Sequence, residues 1–414
     1  MKPFVLLFFI LIFTGTSARE ILRFKVSAGS SDRQDCPVSL SLEQLNYNTD
    51  EGNLVLYELV KGKEINVPCQ LGNGHTPVLW FILSGKTTKG EKREFILKKE
   101  KAVSASEEIK LQEDYRDLKL EKDGKSILSY RYAVTYPPDG VDPVFRRSGY
   151  IHPLVSPEGE VLTRIQPPDH HHHYGIWGPW TETHINGRMV DFWNLVKGEG
   201  TVRFAGFISE VEGGVFSGFK ALQQHIDFGA KGPDQIAINE DLDVRAWNIQ
   251  DKKWMIDYIT TINCPLDSGI MLDAYRYGGG IGFRATEKWN KDNCTILTSE
   301  GKTRVDADGT SARWCIVEGE SDTKEGRSGI LFMSFPANRM HPEPMRVWPL
   351  DANNGRGDMY FEFCPIRNTG WKLEKGTDYS LKYRMIVFDG KLSADEAETY
   401  WQEFANPPEV IVTD

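Results

Sequence analysis

Short strand-like runs recur along most of this chain, and they constrain its fold more than any other feature. Representative runs occupy residues 126–134, 253–259, 329–335 and 379–388, each rich in β-branched or aromatic residues and bounded by turn signals. No strand–helix alternation of the Rossmann type lies between them. Many short strands separated by turns are typical of a sandwich or barrel, so we predict an all-β fold.

The strands divide into two predicted units. Residues 19–118 form a small N-terminal β module, and residues 119–414 form a large β domain that ends in a helix. Ser393 and Glu396 have the spacing of a capping box, which predicts the start of this helix. Pro407 predicts that the helix stops before it.

The first 18 residues have the pattern of a secretory signal peptide. A short positive start precedes an apolar run at residues 4–13, and small residues ending in Ala18 follow. This run of ten residues is shorter than the ~20 that a membrane-spanning helix needs. We therefore expect residues 1–18 to be removed and the mature chain to be periplasmic or secreted, with no transmembrane segment.

The net charge limits which molecules the chain can bind, and the cysteine content determines which disulfide bonds are possible. The formal net charge is −10 at pH 7, which disfavours general binding to nucleic acid because that role needs a basic surface. Export permits disulfides among the six cysteines, and Cys36 with Cys69 is a plausible bridge within the N-terminal module. Buried free thiols are the alternative.

Histidines are concentrated in one segment. Six of the nine histidines lie between residues 152 and 184, and four of them are consecutive at 170–173. Imidazole can ligate a metal, transfer protons near neutral pH, or hydrogen-bond hydroxyl groups of a sugar. A surface tract with adventitious metal affinity is the alternative to a functional site.

The consecutive histidines would be divided between two faces in an extended strand. His170 and His172 would then share one face, and His171 and His173 would share the other. One face could line a site while the other packs inside. His170, His172 and His173 are also candidate ligands for a divalent metal, although spacing alone does not select a set of three.

Several short motifs accompany the histidines. They are His152-Pro153, Thr163-Arg164, the segments 169–177 and 191–193, and Asn186-Gly187, followed by segments 277–284, 312–315 and 341–342. Together they resemble the PmoA-like family of exported proteins, a large family of unknown function, over most of the mature chain. The chain departs from that pattern at His171, where the family more often has a small residue or proline.

The label of that family refers to a methane monooxygenase subunit, which is a membrane protein with several spans. Because no segment of the mature chain is apolar for long enough to span, we reject that activity here. The main unit is also similar to the galactose-mutarotase-type supersandwich. This similarity implies carbohydrate chemistry on a concave sheet face, but fold alone does not determine function.

The motifs and residue types together define the candidate site. The catalytic candidates are His152, His170, His172, His173 and Glu362, and the substrate-binding candidates are Arg164, Trp177, Asp191, Trp193, Arg284 and His341. Arg284 follows a glycine-rich turn, where it can hold an oxyanion or hydroxyls, or else lie on the surface of a tight hairpin. Glu362 lies among aromatic residues that would raise its pKa, unless it is ion-paired within a strand.

These observations favour an exported carbohydrate-active enzyme, either a hydrolase, a lyase or an epimerase. Its histidines would transfer protons or bind a divalent metal, Arg284 would hold the substrate, and Trp177 or Trp193 would stack on the sugar. The alternative is a non-catalytic glycan-binding protein of the cell envelope. Such a protein needs the aromatic residues and the arginine but no particular histidine geometry.

Overall fold

Strands dominate the structure. The computed structural model describes residues 19–43, 53–72, 77–100, 109–229, 232–250 and 252–413. Within these residues there is one α-helix, α1 (Ala394–Ala405), and none of the described helices is long and apolar enough to span a membrane. The predicted signal peptide, residues 1–18, lies outside the described residues.

The strands are numbered in chain order. The first seven are β1 (Arg19–Ser27), β2 (Arg33–Ser41), β3 (Asn53–Val60), β4 (Lys63–Val67), β5 (Cys69–Leu71), β6 (Val78–Thr87) and β7 (Lys92–Glu100). The next seven are β8 (Lys110–Glu113), β9 (Asp117–Lys122), β10 (Lys125–Arg131), β11 (Tyr150–Leu154), β12 (Ile176–Trp177), β13 (Thr183–Ile185) and β14 (Arg188–Val190).

The remaining fifteen strands include every strand of an eight-stranded sheet. They begin with β15 (Gly200–Val211), β16 (Phe216–Asp227), β17 (Gln235–Trp247), β18 (Trp254–Asn263), β19 (Ile270–Leu272), β20 (Ile281–Arg284) and β21 (Cys294–Thr298). They end with β22 (Ser311–Ala312), β23 (Trp314–Glu320), β24 (Arg327–Ser334), β25 (Glu343–Val347), β26 (Tyr360–Phe363), β27 (Trp371–Leu373), β28 (Asp378–Asp389) and β29 (Glu409–Thr413).

Two large antiparallel sheets form a sandwich. One has nine strands in the order β22-β25-β26-β20-β12-β11-β10-β9-β8, and the other has eight in the order β15-β16-β17-β18-β28-β24-β23-β21. Their facing side chains share one hydrophobic core. Phe332 of the eight-stranded sheet, for example, lies 5.3 Å from Phe283 and 4.8 Å from Phe361 of the other sheet between ring centroids. The structure therefore confirms the predicted all-β fold.

Alternation along β26 shows how one strand serves both the core and the outer face of the nine-stranded sheet. Phe361 and Phe363 belong to the sandwich core, whereas Tyr360 belongs to a separate aromatic cluster. Successive side chains of a strand point to opposite faces, so Tyr360 and Glu362 share the face away from the core. That outer face carries the histidine segment.

The opposite side of the sandwich is covered by α1 and by the N-terminal strands. The helix begins at the predicted capping box, with Ser393 and Glu396 each bonded to the other's backbone N–H. Tyr400 and Trp401 of the helix share a cluster with Phe388 of the eight-stranded sheet. Burial of this aromatic face holds the helix in place, since helices of this length are marginal alone.

The N-terminal strands form two smaller sheets, and the first of them also contains the last described strand, β29. The orders are β29-β1-β7-β3-β4 and β2-β6-β5. Gln70 joins this module to the main sandwich, because its side-chain oxygen accepts the backbone N–H groups of Val215 and Phe216 at 3.1 Å each. The C-terminal strand β29 pairs with β1, so both ends of the described chain meet in one sheet.

The expected bridge between Cys36 and Cys69 is wrong. All six cysteines are free thiols in the structure. Cys36 lies on β2 and Cys69 on β5, and β6 separates these strands. Two strand spacings amount to about 9–10 Å, whereas bridged cysteines have Cα atoms within about 7 Å.

Replacing Gly175 tests the turn that leads from the histidines into β12. Gly175 has φ 67°, and a Cβ there would press on the carbonyl oxygen of Ile151. We expect Gly175→Ala to lower the free energy of unfolding by about 3 kcal/mol or more, because backbone strain adds to the clash. Urea denaturation followed by tryptophan fluorescence measures the loss.

Gly187→Ala is the matched control for this substitution. Gly187 has φ 78°, but open space surrounds the position of its Cβ. Only the backbone preference is lost there, which costs about 1 kcal/mol. Equal losses in the two variants would contradict the close approach at Gly175.

Candidate functional site

The candidate site lies on the outer face of the nine-stranded sheet. The register pairs Trp177 with Gly282 and Gly282 with Glu362, so these residues form one row across β12, β20 and β26. Arg284 pairs with Tyr360 two residues further along, beyond the row of Phe283 and Phe361. Strand alternation therefore places Trp177, Arg284 and Tyr360 on the same side of the sheet.

The four histidines form turns and not an extended strand, contrary to the expectation from sequence. The backbone N–H of His170 donates to Pro167 at 2.9 Å, and that of His173 donates to His170 at 3.0 Å. These turns bring the rings of His170, His172 and His173 together. His171 lies apart, with its ring 5.5 Å from Phe145.

The three clustered histidine rings rest on an aromatic floor. The ring of His173 stacks on that of Trp193, with centroids 5.6 Å apart and planes at 15°. His170 lies 4.8 Å from Trp348 and 4.7 Å from His173 between centroids. His172 meets His173 edge-on at 4.8 Å. Ring packing therefore fixes the orientation of each imidazole.

Arg284 anchors this histidine cluster from below. Its side chain is 1% exposed, and Nη2 donates to both carboxylate oxygens of Asp169 at 3.0 and 2.8 Å and to Asp358 at 2.5 Å. The guanidinium also lies 4.7 Å from the Trp348 ring. Two carboxylates and an aromatic face thus compensate one buried positive charge.

Asp169 connects this anchor to a ring on the surface. Its Oδ2 lies 2.8 Å from Nδ1 of His170, whose side chain is 36% exposed. Burial alone would raise the pKa of Asp169. The hydrogen bond with His170 and the charge of Arg284 outweigh burial, so the pKa of this carboxyl lies well below its usual range. Asp169 is therefore an anion that can orient His170 through Nδ1.

The other site histidines are held neutral. Burial lowers the pKa of His172 to about 3, with smaller contributions from the charges of His170 and Arg284. Burial likewise places the pKa of His173 well below its usual value. It also lowers the pKa of His152 to about 4, and Nδ1 of His152 is 2.9 Å from the Thr163 hydroxyl. These imidazoles are donors and acceptors of hydrogen bonds at neutral pH and not cations.

Four of the site residues predicted from sequence are covered by, or bonded to, other residues of the chain and do not contact a substrate directly. Trp177 and Trp193 are 1% and 3% exposed, so histidine rings and other aromatics cover the faces expected to meet a sugar. Asp191 caps its own loop, since Oδ1 accepts the backbone N–H groups of Trp193 and Asn194. Glu362 is fully buried, and the hydroxyl of Tyr360 donates to it at 2.7 Å.

Burial raises the pKa of Glu362 to about 8, although bonds from Tyr360 and Gly278 oppose the shift. The expected raised pKa is therefore present, but the acid lies beneath Tyr360.

His341 is elsewhere: its ring stacks on Trp401 of α1 with centroids 6.0 Å apart. It does not join the other histidines, because α1 packs on the far side of the sandwich.

Arg164 is at the edge of the site, where its Nη1 is 3.8 Å from Asp358 and its Nη2 is 3.1 Å from Glu287.

The residues of the site that the sequence did not predict are Asp358, Trp348 and Tyr277. No motif marks Asp358 or Trp348. Tyr277 occurred only within a family motif, yet its hydroxyl accepts from Arg346 at 3.0 Å and from Trp348 at 3.1 Å.

A metal site is not formed by the residues that the structure describes. Among them, no three or more His, Cys, Asp or Glu side chains are grouped so that they could hold a metal ion. His170, His172 and His173 lie close, but they face one another ring to ring. The metal prediction for these three residues therefore gains no support from their geometry.

Comparison with known families identifies one match. The model of DUF6807, a family of unknown function, matches residues 117–402, which is more than half of the chain. The match includes the whole histidine segment and both large sheets from β9 onward. No curated protein matches the chain.

The neutral histidines predict how stability depends on pH. Below pH 6.5 His172 takes up a proton in the unfolded chain but not in the folded one, so the free energy of unfolding falls as the pH decreases toward 3. We expect His172→Asn to remove part of this dependence, on the order of 1–2 kcal/mol between pH 6.5 and 4.5. Urea denaturation at several pH values measures the difference from wild type.

The comparison with the variant is essential because other buried groups raise the free energy of unfolding as the pH decreases, which opposes the effect of His172. Glu362 is protonated in the folded chain up to pH about 8, which stabilises the fold as the pH decreases. The same slope in His172→Asn and wild type would mean that His172 is protonated in both states.

Proposed function

The chain belongs to the DUF6807 family. We propose that the outer face of the nine-stranded sheet around His170, His172 and His173, here called the histidine face, is the active site of an exported carbohydrate-active enzyme. The reaction would begin with removal of a proton from the sugar by His170. The observation that carries this proposal is the chain of contacts from Arg284 through Asp169 to His170.

His170 has the geometry that a general base requires. When Nδ1–H donates to the Asp169 carboxylate, the proton-free nitrogen is Nε2. The ring is the most accessible part of this chain of contacts, with 36% of the side chain exposed. Asp169 also stabilises the imidazolium that forms when His170 accepts a proton, as in other carboxylate–histidine pairs.

A polyhydroxylated substrate fits the groups around His170. Neutral imidazole has one donor and one acceptor, which matches a hydroxyl group. His172 is held neutral beside His170, with their ring centroids 5.3 Å apart. Arg164 adds a charged donor, with 18% of its side chain exposed. This combination favours a carbohydrate over a strongly charged or wholly apolar ligand.

Among the three reaction types, lyase or epimerase chemistry is better supported than hydrolysis. Hydrolysis of a glycosidic bond usually needs a protonated carboxylic acid beside the bond. Asp169 is held as an anion by Arg284, and Glu362, which burial keeps protonated, is not exposed. Proton removal by a histidine needs neither carboxyl group as an acid.

Tyr277 is the candidate acid for such a reaction. Its hydroxyl accepts two N–H donors, from Arg346 and Trp348, which leaves its own proton available for donation. Both groups contact Trp348: the His170 ring lies 4.8 Å from the Trp348 ring between centroids, and the Tyr277 hydroxyl is 3.1 Å from Nε1. The base and the acid would then act on the same bound sugar.

The test is proton exchange into sugars by the full chain. The purified protein is incubated in D₂O with a panel of neutral and acidic mono- and oligosaccharides, and proton NMR follows loss of C–H signals. We expect exchange or conversion of at least one sugar. His170→Gln should lower its rate about 10²–10⁴-fold, the usual contribution of general base catalysis.

His184→Gln is the matched control. His184 also contacts a carboxylate through Nδ1, that of Asp273, but on the hairpin of β13 and β14. This variant should retain the wild-type rate. Equal rates in His170→Gln and wild type would contradict the role of His170. Sugar binding without any turnover would instead favour the alternative, a non-catalytic glycan-binding protein.

A further inference from the structure

A second buried arginine, away from the histidine face, lies at a small cavity. The cavity has a volume of about 70 Å³ and lies between residues 144–148, which precede β11, and residues 201–203 of β15. Its lining includes Arg146, Arg147 and Arg203, and no acidic side chain. Three positive charges around one cavity are unexpected in a chain whose net charge is −10.

Arg147 is the buried member of this group. It is 2% exposed, and its Nε and Nη1 atoms are buried with no hydrogen-bond partner among the described residues. A buried guanidinium normally finds a carboxylate or several acceptors, because an unpaired buried charge costs several kcal/mol. Arg147 therefore has donor capacity that the described side chains do not use.

The nearby interior carboxylate is engaged elsewhere. The charge of Glu240 acts on Arg147, but its oxygens accept from Nε2 of His225 at 2.8 Å and from the Thr260 hydroxyl at 2.7 Å. Within the described part of the chain, Arg147 forms no ion pair shorter than 4.0 Å. Burial lowers the pKa of Arg147 below its usual value, as expected for a charge that is incompletely compensated.

Hydroxyl groups line the same cavity. Thr201 is 8% exposed, and its hydroxyl oxygen is buried without a partner among the described residues. The Ser148 hydroxyl accepts the backbone N–H of Phe204 at 3.0 Å, so its own proton is available to a second acceptor. Thr201 and Ser148 thus each have a hydroxyl proton for which no acceptor is found among the described residues.

The other two arginines lie at the surface. Arg203 is 47% exposed and has an ion pair with Asp234 at 3.7 Å. Arg146 is exposed, and its Nη1 donates to the carbonyl of Pro143 at 3.2 Å. These side chains can reach a ligand from the rim while Arg147 meets it inside. Valine and phenylalanine side chains complete the wall of the cavity.

We propose that this cavity, defined by Arg146, Arg147, Ser148, Thr201 and Arg203, is a binding site for a small oxyanion. The ligand is a sulfate, phosphate or carboxylate group, either as a free ion or as the acidic group of a larger molecule. Guanidinium and hydroxyl donors match such oxygens, and a cation would be repelled. The cavity of about 70 Å³ has room for one such group, since about 10–15 Å³ of such space is enough for one water.

Calorimetric titration of the full chain with sulfate, phosphate and acetate tests the site. Ionic strength is held constant with chloride, because general salt effects do not saturate. We expect saturable binding of at least one anion to wild type. Arg203→Gln and Thr201→Val should each weaken binding about 10-fold, and Arg147→Met should weaken it more than about 100-fold, because charge-assisted bonds are lost.

Arg116→Gln is the control for a change of charge, since Arg116 is exposed and does not line the cavity. It should bind like wild type. Thr201→Val preserves shape and charge, so it remains informative if Arg147→Met fails to fold. Binding that is absent in wild type, or equal in wild type, Thr201→Val and Arg203→Gln, would overturn the proposal.

Methyl phosphate distinguishes the two sources of the oxyanion. Its methyl group must project through the rim if the phosphate occupies the cavity. Binding of methyl phosphate within a few-fold of inorganic phosphate would indicate the acidic group of a larger molecule. Binding of the inorganic anion alone would indicate a free ion as the ligand. Both outcomes require the same loss in Thr201→Val.

Discussion

The geometry of the histidine face depends on one buried charge. Arg284 donates to Asp169 at the start of the histidine turns and to Asp358 just before β26. Each carboxylate would be costly to bury alone, and the guanidinium compensates both of them. Because Arg284 is itself part of strand β20, the turns that carry the histidines are tied to the rigid sheet beneath them. His170 is thereby held at the surface by a contact with a half-buried anion, Asp169.

The nine-stranded sheet can carry the histidine face because successive side chains of its strands point alternately into the sandwich core and to the outer face. Phe283 contributes to the sandwich core, while the next residue, Arg284, points to the opposite face. Phe361 and Tyr360 divide in the same way on β26. The apolar core therefore fixes the register, and the register determines which polar and aromatic side chains meet on the outside.

The fold was largely predictable from sequence, and the site only in part. Alternating apolar runs indicate strands wherever one face is buried, and Ser393 with Glu396 indicates a helix start by local hydrogen bonding alone. The concentration of histidines predicted that several of these rings would lie together, and those of His170, His172 and His173 do. Their turn conformation could not be read from the run, because it depends on Arg284, which is more than a hundred residues away. The burial of Trp193 beneath His173 and the location of His341 depend on the same kind of distant contact.

Arg284 and Arg147 show why burial of an arginine does not by itself define its role. The two side chains are 1% and 2% exposed, respectively. Arg284 has two carboxylates and the Trp348 ring within contact distance, so its charge is satisfied by the chain. Arg147 has donors that no described residue accepts, and the cavity beside it is lined by further positive charge. A protein interior tolerates such a charge when a ligand supplies the missing acceptors. Arg284 therefore positions the residues of the histidine face, whereas Arg147 is itself a binding residue of the proposed oxyanion site.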